Sequence, residues 1–200
     1  MLRRMLSVAL LCVVLSVAAF ADVSPGEKAP EFELFGVDYK YHSLQEYADS
    51  EAIVVVFTCN HCPYAKSYED DLIALANKYQ PKDIQFLAVN PNPADKVAAD
   101  GFPQMKKRAQ EKGFPYPYLY DETQKVAHAY GATVTPHIFV VRYEKEDGES
   151  VPRVVYEGAV DNRHKDPRYL KNALDAILAG EEIEKKKTAQ FGCSVKYRKK

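Results

Sequence analysis

Cys59 and Cys62 stand two residues apart in the stretch Phe57-Thr58-Cys59-Asn60-His61-Cys62-Pro63-Tyr64. Two thiols at this spacing can be half of a zinc site, a redox disulfide, or two packed hydrophobes. A structural zinc ion wants four ligands, commonly a second close cysteine pair or a spaced histidine pair. Beyond residue 21 the chain offers one more cysteine, Cys193, and five scattered histidines, which makes a poor second half. Redox use fits the position better, because the pair lies at a strand-to-helix junction and not inside an element. The free N–H groups at a helix start favour a thiolate there, and a lowered pKa makes a thiol nucleophilic. Cys59, further out toward the loop, is expected to attack. Cys62, one turn on, is expected to resolve the mixed disulfide. An imidazolium at His61 would favour the Cys59 thiolate further and shift the pair toward oxidising power.

The elements around the pair can be read in turn. Ala52 to Phe57 is a continuous β-branched run, as in a strand covered on both faces. After the pair, Tyr68, Leu72, Leu75, Ala76 and Tyr79 recur at helical spacing until Pro81. Pro63 suits the first turn of that helix. Ile84 to Val89 reads as a second buried strand, and Asn90-Pro91-Asn92-Pro93 as a loop. A charged helix over Gln104–Lys112, a short strand near Tyr118 and a helix over Thr123–Tyr130 follow, the last closed by Gly131. Ile138–Arg142 and Arg153–Tyr156 read as a hairpin with Asp147-Gly148 in its loop. Tyr169–Leu178 reads as an amphipathic helix. Before all of these, Phe32, Leu34, Tyr39 and Tyr41 predict an N-terminal hairpin, and Ser43-Leu44-Gln45-Glu46 a capping box for a short helix. Parallel strands joined by helical crossovers make this an α/β chain: a sheet with helices on both faces.

The 200 residues carry a formal net charge of −1, which excludes a general basic surface for nucleic acid. The first 21 residues read as a secretory signal peptide: Arg3 and Arg4, an apolar run over Leu6–Val17, and Ala19-Phe20-Ala21 before the cleavage point. Export to a periplasmic or extracellular, oxidising compartment is expected, with a soluble product after cleavage. Residues 22–180 are expected to form the domain. Residues 181–200 are expected to be a charged, solvated tail.

Val134-Thr135-Pro136-His137, directly before Ile138-Phe139-Val140, is the second diagnostic stretch. With Gly26-Glu27-Lys28-Ala29-Pro30-Glu31-Phe32 and the Cys59–Cys62 stretch, it makes the chain resemble the thioredoxin fold superfamily. The likeness is closest to secreted proteins of the redoxin (AhpC/TSA, TlpA-like) group. The resemblance implies a thioredoxin-like fold with a central mixed sheet and an N-terminal β-hairpin extension. It also implies an oxidoreductase needing no cofactor and no metal, with a Cys59–Cys62 redox-active disulfide acting on protein thiols and disulfides. Thr135-Pro136 is implied to be a cis peptide facing the sulfurs and offering the Thr135 backbone to an incoming peptide. The redox partner and the oligomeric state stay open.

Three departures bear on the chemistry. The buried acid of thioredoxins proper falls on Ile53, and the glutamate of TlpA-like reductases on Ala65, so no proton acceptor is inherited. Thr58 stands where an aromatic residue often precedes the site. The peroxiredoxin motif Pro-x-x-x-Thr-x-x-Cys fails at Val54 and Val55, which leaves a thiol peroxidase as a weaker alternative. A copper chaperone is another, since Cys59, Cys62 and a histidine suit Cu(I). Cys193, in Gln190-Phe191-Gly192-Cys193-Ser194, is a possible extra thiol; a structural or unpaired place in the tail is expected for it.

Overall fold

The computed structural model describes residues 23–163 and 168–199. The signal-peptide reading of residues 1–21 and His164 lie outside these. A seven-stranded mixed sheet runs in the order β2-β1-β5-β4-β3-β7-β8. Its centre is β3 (Ala52–Phe57), flanked by β4 (Ile84–Asn90) in parallel and β7 (His137–Glu146) antiparallel. Every residue of β3 is buried, and its side chains alternate between two cores. Val54 and Val56 meet α2 (Glu69–Tyr79) and α5 (Tyr169–Ala179) through Leu72, Ala76, Leu170 and Leu174. Ile53, Val55 and Phe57 meet Phe32, Leu44, Ala127 and Tyr130 on the other face. A strand covered on both sides must be apolar at every position, which is why the run shows no period of two. Each such side chain contributes about 1.5–3 kcal/mol of burial.

Strand β5 (Tyr118–Tyr120) pairs in parallel with β4, and the N-terminal hairpin β1 (Glu33–Gly36) and β2 (Tyr41–Ser43) adds antiparallel at that edge. The capping-box serine does cap: the Glu46 N–H donates to Ser43 Oγ at 3.2 Å, opening a single short turn over Gln45–Tyr47. Helix α3 (Phe102–Lys112) and helix α4 (Lys125–Tyr130) end at left-handed Gly113 and Gly131.

The second hairpin is longer than the sequence indicates. Strands β7 and β8 (Glu149–Gly158) pair through Glu146↔Glu149 and turn on Asp147 and Gly148, both at positive φ. The charged run Glu144–Glu149 looked like loop because, beyond the sheet, the ribbon has no core to face and its strands lose their apolar pattern. Among the described residues, no helix is long and apolar enough to cross a membrane.

The chain after α5 is not a solvated end. The Thr188 N–H donates to Glu157 O at 2.9 Å and the Glu157 N–H to Lys186 O at 2.8 Å, so the segment lies along β8. Ile183 and Val195 are buried. The lysine cluster masked this, because Lys185, Lys186 and Lys187 are themselves exposed.

Candidate active site

Strands β3 and β4 end on the same side of the sheet, so the loops leaving them meet there. Thr58 extends the ladder by donating to Val89 O at 2.9 Å, and the next residue is Cys59. Three residues on, Cys62 is the N-cap of α1 (Pro63–Ser67), and its sulfur accepts the Ala65 N–H at 3.4 Å. Pro63 fills the first helical position, where no N–H is needed. Both sulfurs are buried, so the expected contrast between an outer Cys59 and an enclosed Cys62 is absent from this state.

Thr135 touches both thiols. Its hydroxyl lies 3.2 Å from Cys59 Sγ, and its carbonyl accepts from Cys62 Sγ at 3.2 Å. The Thr135–Pro136 peptide bond is cis. His61 is brought in as well, with Nδ1 3.4 Å from Cys59 Sγ.

The residue that sequence reading missed is Asp100. It is fully buried, and its carboxylate accepts from the Asn60 N–H at 2.7 Å, the His61 N–H at 3.1 Å, His61 Nδ1 at 2.6 Å and Asn92 Nδ2 at 2.8 Å. Asn90 holds the Asp100 carbonyl at 2.9 Å, and the Tyr118 hydroxyl donates to Asn60 Oδ1 at 3.0 Å. The loop that read as a plain turn, Asn90-Pro91-Asn92-Pro93, is thus half of the cradle that fixes this acid beneath the cysteine loop. Two asparagines at the end of a buried strand were the available signal, since amides placed there need a partner.

Asp100 changes what His61 can do. One nitrogen, Nδ1, faces both the carboxylate and Cys59, so the ring does not bridge them as an acid–base relay would. A carboxylate only accepts, so the Nδ1–H goes to Asp100 at 2.6 Å and not to the sulfur at 3.4 Å. The cationic help expected for Cys59 is offset by a buried negative charge. The Cys59 thiol is pushed well up, by its bond to Cys62, by burial and by Asp100, against the pull of the Thr135 hydroxyl. Cys62 is pulled down to about 4 by the Cys59 thiol, with help from Cys193 and the Ala65 N–H outweighing burial. The two opposite shifts make Cys62 the more acidic of the two thiols.

Cys193 joins this cluster, packing against Cys59, Cys62 and Ala65. Cys193 is unpaired, as expected for it, but it lies beside the redox pair. A second buried pair, His137 and Glu157, lies just past Pro136, with His137 Nε2 3.4 Å from Glu157 Oε1 and Lys187 Nζ 2.7 Å from Glu157 Oε2. Ligand atoms of Cys59, His61 and Asp100 lie within 4.8 Å of one another, a set able to hold a metal ion.

Residues 25–146 match the family described as AhpC/TSA. The chain belongs to the AhpC/TSA family. A crystal structure of an uncharacterized conserved protein from Geobacillus kaustophilus is 37% identical with a TM-score of 0.79, covering 88% of this chain and 93% of its own. A hypothetical protein from Sinorhizobium meliloti is 28% identical with a TM-score of 0.79, over 90% of this chain and 98% of its own. A protein provisionally named thiol:disulfide interchange protein DsbE, from Chlorobium tepidum, is 20% identical with a TM-score of 0.59, over 78% of this chain and 99% of its own. That likeness shows the fold alone, which is thioredoxin-like. No functionally curated protein matches the chain. This AhpC/TSA protein is a redoxin-group member, and the family is one of oxidoreductases.

Proposed function

We propose that this AhpC/TSA protein is an exported thiol–disulfide oxidoreductase exchanging disulfides through Cys59 and Cys62. The observation that carries this reading is a pair of buried, unbridged sulfurs at the end of β3, both facing Thr135, whose hydroxyl lies 3.2 Å from Cys59 Sγ and whose carbonyl lies 3.2 Å from Cys62 Sγ. Reduction of a substrate runs as follows. The Cys59 thiolate attacks one sulfur of the substrate disulfide, and the other leaves and takes a proton. Cys62 then attacks Cys59 in the mixed disulfide, releasing the second substrate thiol and leaving a Cys59–Cys62 bond. Two electrons pass to the substrate; oxidation is the reverse. Cys62, the more acidic thiol, takes the proton from Cys59, which meets the need left by Ile53 and Ala65. Thr135 steadies the Cys59 sulfur through its hydroxyl. Protein thiols and disulfides are the substrates, and the leader-like residues 1–21 support export.

The test is turnover of a protein disulfide with a dithiol reductant. Cys59→Ser should fall to the uncatalysed level; full activity in that variant would sink the assignment. The reduction potential then gives the direction of electron flow: near about −270 mV for a reductant, near about −120 mV for an oxidant. Family membership favours one second reading, a thiol peroxidase. Catalytic loss of hydrogen peroxide in the presence of a thiol donor separates it from the first. Copper carriage, which would use Cys59, Cys62 and His61, is tested by metal analysis of the reduced protein.

A further inference from the structure

The segment from Lys186 to Arg198 runs across the mouth of the site. The Thr188 hydroxyl accepts the Ala159 N–H at 3.0 Å and meets the Tyr156 hydroxyl at 2.9 Å. Phe191 packs against Tyr64 and Tyr68 of the cysteine-bearing helices. Residues Cys193–Ser194 then form a strand, β9, antiparallel to β6 (Val134–Thr135), with Cys193 opposite Thr135. Beyond it, the Val195 N–H donates to Thr133 O at 2.9 Å, the Lys196 N–H to Asn92 Oδ1 at 2.8 Å and the Arg198 N–H to Gln124 Oε1 at 2.8 Å. Tyr197 stacks on His128 at 4.1 Å.

This places a cysteine on an extended strand against the backbone beside the redox pair. Cys193 packs against Cys59 and Cys62, and its thiol is pushed up by burial and by the neighbouring Cys62. Gly192 is needed for the approach, since a Cβ there would come within 2.0 Å of Thr135 O. Among the described residues β6 pairs with no strand but β9, so without the tail this edge would offer open backbone groups to another strand.

We propose that Cys193 is a third redox-active thiol, carried on a tail that occupies the site as an internal substrate. The inference rests on the disulfide-exchange reading of Cys59 and Cys62. In the oxidised protein the Cys193 thiolate attacks Sγ of Cys62. The Cys62–Cys193 bond forms, the Cys59–Cys62 bond breaks, and Cys59 leaves as a thiolate that takes the proton given up by Cys193. No electrons enter or leave. The product ties the tail across Thr135 and frees Cys59. A substrate strand reaches the pair by taking the place of residues 192–194.

Peptide mapping tests this. Trypsin leaves Cys59 and Cys62 together on Tyr41–Lys66 and Cys193 on Thr188–Lys196. The full chain is equilibrated in glutathione buffers of rising oxidised fraction, alkylated and digested without reduction. Wild type should give both the internal Tyr41–Lys66 disulfide and the cross-linked pair of peptides, and Cys59→Ser should give the cross-link alone. Glutathione adducts on Cys62 and Cys193 without a cross-link, in both proteins, would overturn the proposal while an internal disulfide in wild type still upheld the exchange reading. If wild type forms neither disulfide, both readings fall. Gly192→Ala keeps all three thiols but pushes the tail off Thr135. It should lower the cross-link yield and speed exchange with a peptide disulfide, each by about fivefold, the worth of one net hydrogen bond. An unchanged yield and rate would overturn the internal-substrate role.

Discussion

Replacing Asp100 by Asn removes a buried negative charge beside Cys59 with almost no change of shape. The carboxylate lies within 4.8 Å of the Cys59 sulfur. At an effective dielectric constant of about 20, two unit charges about 4.8 Å apart repel by about 3.5 kcal/mol, equal to about 2.5 in pKa. The half-open His61 side and local relaxation reduce this, so we expect the Cys59 pKa to fall by about 1–2 in the variant. The change at His61 acts in the same direction, because an amide in place of the carboxylate no longer requires the Nδ1–H, which is then free for the sulfur. The measurement is thiolate absorbance, or alkylation rate, against pH in a Cys62→Ser, Cys193→Ser background, so that one thiol titrates. A Cys59 midpoint that stays put or rises on Asp100→Asn would refute the claim that this acid restrains the nucleophile. The variant should also lose about 1–3 kcal/mol of stability, since its amide nitrogen faces the donors of Asn92 and His61.

In the reduced wild type, a thiolate signal should persist down to about pH 5 and fall with a midpoint near about 4, and Cys62→Ser should abolish that low transition. Glu157 is pushed up by burial, but its contacts with His137 and Lys187 outweigh this and hold it below the ordinary carboxylate range. A depressed carboxyl stabilises the fold above its unfolded pKa of about 4.3, and the gain is lost as pH falls through the lower folded value. Lys187→Met should therefore cost about 1–2 kcal/mol at neutral pH, with the gap from wild type closing below about pH 4 in denaturant titrations. Gly158 has φ +146°, and a Cβ there would meet Thr188 Oγ1 at 2.1 Å. Gly158→Ala should lower stability by about 2–4 kcal/mol and loosen the tail, read as faster proteolysis after residue 180.

Much of the scaffold was legible in the sequence because local physics sets it. A six-residue apolar run with four β-branched residues reads as a buried strand, and glycines at the ends of helical patterns mark their caps, as at Gly113, Gly131 and Gly180. Cys59, Cys62, His61, Thr135 and Pro136 were all picked out, and the structure brings them together. The hairpin's length was not legible, because a ribbon free of the core carries no apolar period.

What the sequence alone determined is the thiol pair and its place between a strand and a helix. Both follow from residue types a few positions apart. The tertiary structure decided the charge around that pair. Asp100 lies 38 residues beyond Cys62 in the chain and reaches it only because two parallel strands end side by side. Cys193 lies further still, and its lysine-rich surroundings resemble a solvated end. Only the pairing of residues 193–194 with Val134–Thr135, a contact between segments with no shared local pattern, turns two sulfurs into three.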